Sequence, residues 1–129
     1  MLTEKLIPCL REKFPNRNIR FGTPPEPVAI FPAIHPDVGD VKIHDDGDEL
    51  TLIAGNFTHG HFSNYDSSLM KAEKEQEIVE QILEFLERLF DDQIVMFGSH
   101  RGRGGWYDRG EAAMNDANEP AYVWSGPLK

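Results

Sequence analysis

SSLMKAEKEQEIVEQILEFLERLF, residues 67–90, is the stretch that decides the fold. Apolar residues recur in it at spacings of three and four, and glutamates fill most of the remaining positions. The apolar set is Ile78, Val79, Ile82, Leu83, Leu86, Leu89 and Phe90, with Phe85 widening the stripe. This periodicity predicts an amphipathic helix with one apolar face to bury. Such a helix would span about 36 Å, so the rest of the chain has to supply the surface that receives it.

The segments before and after this helix predict the sheet that receives it. A short helix is expected over residues 2–14, with Thr3 as its cap, and Pro15-Asn16-Arg17-Asn18 ends it;. Strands are expected at 28–34, 40–45, 48–62, 93–98 and 106–108 from their β-branched and aromatic content;. Short turns between the first strands favour an antiparallel meander. The order, roughly α-β-β-β-α-β-β, predicts an α+β fold of two layers with the helices packed on one face.

The pair Asp46-Gly47 is the strongest hairpin signal in the chain;. A two-residue loop there would place Ile43 opposite Leu50 and Val41 opposite Leu52, which gathers the apolar residues on one face. The strand after this loop is expected to run on through Phe62, with a bulge at Gly55. The same register puts position 35 opposite position 58.

Length and composition limit the classes of protein that fit. The 129 residues suit a single α+β domain over 1–129, with 110–129 expected as a loosely structured C-terminal tail;. The net charge of −9 and the pI of about 4.9 disfavour binding to nucleic acid or to an anionic membrane;. The single cysteine and the lack of a long apolar run predict a cytoplasmic protein;.

Four residues form a candidate metal site: His35, Asp37, His59 and His61. On a strand, the His59-Gly60-His61 motif points both rings to one face, and the expected register brings His35 and Asp37 to the same end. Three imidazoles and a carboxylate would suit zinc or iron. His44 is placed about 33 Å from His59 along the strand and is left out. The alternative is that the histidines are partly exposed strand residues without a ligand.

A second candidate is an anion-binding loop formed by His100, Arg101, Arg103 and Trp106, within the sequence HRGRGGW. Glycines let backbone N–H groups approach an anion, and arginines can bind a phosphate or a carboxylate through two parallel hydrogen bonds. The alternative is a turn whose arginines pair with the protein's own acids.

No nucleophile motif such as G-x-S-x-G or H-E-x-x-H occurs in the chain;. The leading hypothesis is therefore a small acidic cytosolic domain that binds a protein partner without catalysis, as an inhibitor, an immunity protein or a chaperone does. The alternative is a metal-dependent enzyme with a His35/His59/His61 centre that acts on an anionic small molecule. A small-anion-binding protein that uses the Gly/Arg loop alone is a third hypothesis. The long helix could also share its apolar face with a second copy, which leaves a homodimer open.

Overall fold

The structure, a computed structural model, describes residues 1–99 and 102–128. Within this part of the chain it has two helices and two antiparallel sheets, which confirms the predicted α+β class. The helices are α1 (Thr3–Lys13) and α2 (Lys71–Phe90). The strands are β1 (Arg20–Phe21), β2 (Ala29–Phe31), β3 (Val41–Asp45), β4 (Glu49–Ala54), β5 (Thr58–Ser63), β6 (Ile94–Phe97), β7 (Gly105–Asp108), β8 (Ala121–Val123) and β9 (Gly126–Pro127).

The first sheet is a five-stranded meander in the order β1-β2-β3-β4-β5. Alternate residues of its central strands are buried, among them Val41 and Ile43 of β3 and Leu50 and Leu52 of β4;. Apolar residues of α1 and α2 belong to the same buried cluster. Both helices therefore cover the inner face of this sheet, and its outer face carries the polar residues.

The β3–β4 hairpin is present, but its loop is shifted by one residue from the prediction. Ile43 pairs with Leu52 instead of Leu50. The N–H of Asp46 donates to the carbonyl of Glu49 at 3.0 Å, so the two loop residues are Gly47 and Asp48. Gly47 supplies the positive φ of 97° that such a turn requires at its first central position;. The shift moves each partner by two positions, and so the apolar residues keep the face that was predicted for them.

The long third strand predicted through Phe62 is instead two strands. β4 ends at Ala54, and β5 returns along it with Ala54 opposite Thr58. Gly55 takes a φ of 54° in the turn, and a Cβ at this position would lie 2.2 Å from the carbonyl oxygen of Val38. The glycine thus marks a reversal of the chain and not a bulge.

Helix α2 buries the predicted apolar stripe, including Ile78, Ile82 and Leu86. It begins at Lys71, four residues after the start of the stretch 67–90 that predicted it. The hydroxyl and the N–H of Ser68 donate to Asp66, and these bonds lower the pKa of the Asp66 carboxyl. Asp66 therefore stabilises a turn ahead of the helix.

The second sheet has the order β7-β6-β8-β9 and supplies Ile94, Met96 and Trp124 to the core. Where a loosely structured tail was expected over 110–129, the chain forms β8 and β9 and buries Trp124, which is 2% exposed. In the part of the chain that the structure describes, no helix is long and apolar enough to cross a membrane.

Candidate functional site

The outer face of the first sheet carries the His-x-His motif. His59 and His61 lie on β5 and are exposed, and their ring centroids are 5.3 Å apart. The register places His59 opposite Ile53 and His61 opposite Thr51. The two imidazoles thus share one face, as the period of a strand requires.

His61 is oriented by two side chains of β4. Its Nδ1 lies 2.9 Å from a carboxylate oxygen of Glu49 and 3.0 Å from the hydroxyl of Thr51. Thr51 donates its own proton to Asp46. Because an ionised carboxylate only accepts hydrogen bonds, these contacts favour the tautomer of a neutral His61 ring that carries its proton on Nδ1;.

His44 belongs to the same face. It pairs with Thr51, which pairs in turn with His61, so the three residues form a row across β3, β4 and β5. The expected distance of about 33 Å between His44 and His59 is wrong, because it treated β4 and β5 as one continuous strand.

His35 and Asp37 lie in the loop between β2 and β3, away from β5 in the strand order. The N–H of Asp37 donates to Nδ1 of His35 at 3.1 Å, and a Cβ at Gly126 would lie 2.8 Å from the His35 ring. The predicted pairing of position 35 with position 58 is wrong, since Thr58 pairs with Ala54.

The four predicted ligands are therefore not gathered at one point. Among residues 1–99 and 102–128, no group of three or more His, Cys, Asp and Glu side chains is arranged to hold a metal ion. The zinc or iron centre stays a prediction, but the pairing of position 35 with position 58 on which it was based is absent.

The Gly/Arg loop is described only in part, since His100 and Arg101 lie outside the described residues. Arg103 is exposed and donates to the carbonyl of Met114 at 3.5 Å. It lines a cleft of about 390 Å³ together with Ser99, Glu119 and Tyr122. The carboxylate of Glu119 shares this cleft, so a bound anion would have to compete with it for the guanidinium.

Trp106 serves the core and not the mouth of the Gly/Arg loop. Its ring centroid lies 4.6 Å from that of Phe85, and its edge occupies the space that a side chain at Gly60 would fill. The ring of Trp106, a residue of the predicted anion-binding loop, is thus in contact with α2 and β5.

The exposed side of α2 forms a continuous stripe of carboxylates, which we call the acidic face. It comprises Glu73, Glu77, Glu80, Glu84, Glu87 and Asp91, all exposed and spaced alternately by four and three residues. Asn64 and Gln76 donate to Glu77 and Glu80. Within the described chain only Glu87 has a cationic partner, the Nζ of Lys13 at 2.7 Å.

A further concave surface, which the sequence analysis missed, surrounds Arg17. This Arg17 hollow has a volume of about 310 Å³ and is lined by Asn16, Arg17, Asn18, the loop residues 31–34 and Trp124. The guanidinium of Arg17 lies 4.0 Å from the ring centroid of Phe90. Partial burial lowers the pKa of Arg17, which nevertheless stays charged at neutral pH;.

The walls of the Arg17 hollow explain why it was missed. Residues 15–18 carry only the signal of a helix end, and Trp124 is more than 100 residues away in the chain. Only the fold brings them together. The one local signal is an arginine between two asparagines at the end of α1.

Comparison of this chain with protein-family models, with curated proteins and with solved structures finds no match. Function is therefore inferred from the residues and their geometry.

Proposed function

We propose that this protein is a non-catalytic cytosolic domain that binds a basic protein partner through the acidic face of α2. The observation that carries the proposal is the run of six exposed carboxylates along the whole helix, of which only one has a cationic partner among the described residues. The outer side of any amphipathic helix has these spacings; what distinguishes this stripe is that all six of its positions are acidic.

The acidic face is a rigid surface. Its helix of 20 residues spans about 30 Å;, and its opposite side is anchored in the core by Ile78, Ile82 and Leu86. The backbone that carries the carboxylates is thus fixed before a partner arrives, which reduces the entropy lost on binding. A row of like charges also raises the rate of encounter with a surface of opposite sign.

The sign of the charge selects the class of partner. Phosphate backbones and anionic lipid surfaces are repelled by the acidic face, whereas a protein surface rich in lysine and arginine is attracted. Such surfaces occur on proteins that themselves bind nucleic acid, and a domain of this kind would cover them.

The test compares two charge-matched variants. Glu80→Lys with Glu84→Lys reverses the centre of the acidic face, and Glu26→Lys with Glu111→Lys makes the same change at exposed sites outside it, so both bring the net charge from −9 to −5. We expect the wild type and the second variant to capture the same basic protein, released by about 0.5 M NaCl, and the first variant to lose it.

The affinity of the purified partner for each of the two variants then tests the proposal. Titration calorimetry should show a loss of about tenfold or more, about 1.4 kcal/mol, for the Glu80/Glu84 variant and little change for the Glu26/Glu111 variant. Equal losses in both would mean that only net charge matters, and no loss in the first would exclude the acidic face as the binding surface.

A further inference from the structure

The Arg17 hollow has the features of a small ligand site, and it lies outside the acidic face. Its volume of about 310 Å³ falls at the lower end of the range of ligand pockets, about 300 to 1,000 Å³. One side is polar, with Asn16, Arg17 and Asn18 on a single turn. The opposite side is apolar, with Phe31, Pro32 and the exposed Ile34.

Arg17 is the cationic residue in the lining of this hollow. Stacking of its guanidinium over Phe90 at 4.0 Å fixes the plane of the group;. No carboxylate of the described residues lies within ion-pair distance of it. Arg17 and Phe90 also line an adjoining hollow with Glu87 and Asp91, and Glu87 is paired with Lys13 at 2.7 Å.

Trp124 supplies a second, independent observation. It is 2% exposed and lines the same hollow. Its indole N–H is the one buried side-chain polar atom in the described chain for which no hydrogen-bond acceptor is found. Buried donors are nearly always satisfied, so this unpaired N–H sets Trp124 apart from the other residues that line the hollow;.

We propose that the Arg17 hollow binds a carboxylate that is attached to an apolar group. The guanidinium would donate two parallel hydrogen bonds to the carboxylate, and Phe31, Pro32 and Ile34 would cover the apolar part. Two sources have this chemistry: a free small acid, and the C-terminal residue of a peptide. The proposal does not depend on the acidic face.

The test is a titration followed by nuclear magnetic resonance. The protein has two tryptophans, so its two indole N–H signals can be assigned with Trp106→Phe. N-acetyl-leucine, and separately a short peptide with a free C-terminal leucine, should move the Trp124 signal below about 10 mM, where a millimolar site is mostly filled. N-acetyl-leucinamide, which lacks the carboxylate, should not move it.

Two variants locate the binding. Arg17→Gln should weaken it by about tenfold or more. Arg11→Gln is the matched control, because Arg11 also stacks on a ring, that of Phe21 at 4.7 Å, outside the hollow; it should bind as the wild type does. Asn18→Asp places a negative charge in the hollow without a change of shape and should also weaken binding.

Each outcome of the titration either supports or overturns the proposed carboxylate site. Binding of the free acid alone assigns the hollow to small metabolites, and binding of the peptide alone assigns it to chain termini. An unmoved Trp124 signal with both probes overturns the proposal, as does equal binding of the amide or an unchanged affinity in Arg17→Gln. Retained signal dispersion in each variant shows that loss of binding is not loss of fold.

Discussion

At the scale of single residues, Asp92 links the turn after α2 to the turn between β8 and β9. It has a φ of 60°, a left-handed conformation that few side chains tolerate;. Its carboxylate accepts hydrogen bonds from the N–H of Ser125 at 3.0 Å and from the Ser125 hydroxyl at 2.5 Å. These bonds stabilise the β8–β9 turn, which contains the buried Trp124.

Two substitutions of Asp92 separate the contribution of its hydrogen bonds from the cost of its left-handed backbone. Asp92→Ala loses the bonds to Ser125 and places a Cβ in left-handed backbone, and should destabilise the protein by about 2 kcal/mol. Asp92→Gly loses the bonds but relieves the backbone, so about half of that loss is expected. Urea unfolding measures both, and an alanine variant as stable as the glycine variant would contradict the role of the backbone.

Some residue roles could not be read from the sequence because their partners are distant in it. Thr3 was expected to cap α1, whereas the structure gives this role to Asp45. Asp45 is 7% exposed and accepts from the N–H of Thr3 at 2.8 Å and from its hydroxyl at 2.5 Å, across 42 positions of the chain. Capping motifs involve residues within one turn of the helix end. The sequence therefore predicts the N-terminus of α1 correctly but cannot identify Asp45 as the acceptor there.

At the scale of elements, periodicity predicted α2 well and predicted β5 poorly. The apolar stripe of α2 is a local pattern over residues 78–90; six of its eight residues are buried, and Leu83 and Phe90 are half-buried;. The stretch from Leu50 to Phe62 is also rich in residues that favour strands, so it was read as one strand. Its turn is specified by the carbonyl of Val38, which accepts from the N–H of Asn56 at 2.8 Å, and that contact is tertiary.

The turn between β4 and β5 also explains which parts of the candidate metal site could be predicted from the sequence. The shared face of His59 and His61 follows from the strand period and is seen in the structure;. The inclusion of His35 and the exclusion of His44 were based on a register that the structure does not have.

The contact between β5 and β7 depends on a glycine, and this gives a prediction for the element. A Cβ at Gly60 would lie 2.3 Å from the Trp106 ring, and the ring cannot retreat because Phe85 packs on it. Gly60→Ala should therefore destabilise the protein by about 1–3 kcal/mol, as measured by thermal unfolding.

Two further variants test the cause of that loss. Gly102→Ala should be nearly neutral: among the described residues beyond its chain neighbours, the nearest atom to its Cβ would be the Ser99 Oγ, at 3.9 Å. Trp106→Phe removes the ring atoms that would clash, so the Gly60→Ala change should cost less in that background. Equal costs in both backgrounds would show that the strand itself, and not the ring, resists the alanine.

At the scale of the whole molecule, charge is distributed unevenly. Six carboxylates lie on one side of α2 with a single cationic partner in the part of the chain described. Mutual repulsion between neighbours three and four residues apart opposes the folded state, by about 1–2 kcal/mol in total.

Salt should therefore stabilise this protein. We expect the melting temperature to rise by a few degrees between about 0.01 and 0.5 M NaCl, as the repulsion is screened. The variant Glu80→Gln with Glu84→Gln should begin at a higher melting temperature and gain less from salt. An identical response in both proteins would mean that the acidic face is not the source of the repulsion.

Strand β6 has a consequence for how this chain can evolve. All four of its residues are buried, and β7 and β8 flank it on both edges. Strands β3 and β4 keep an outer face on which polar residues can be exchanged with little effect on packing, so half of their positions are open to neutral drift. Ile94, Val95, Met96 and Phe97 have no such face, and only exchanges of similar volume fit them. Over evolutionary time, homologues of this chain would diverge at every second position of the first sheet and remain nearly fixed along β6.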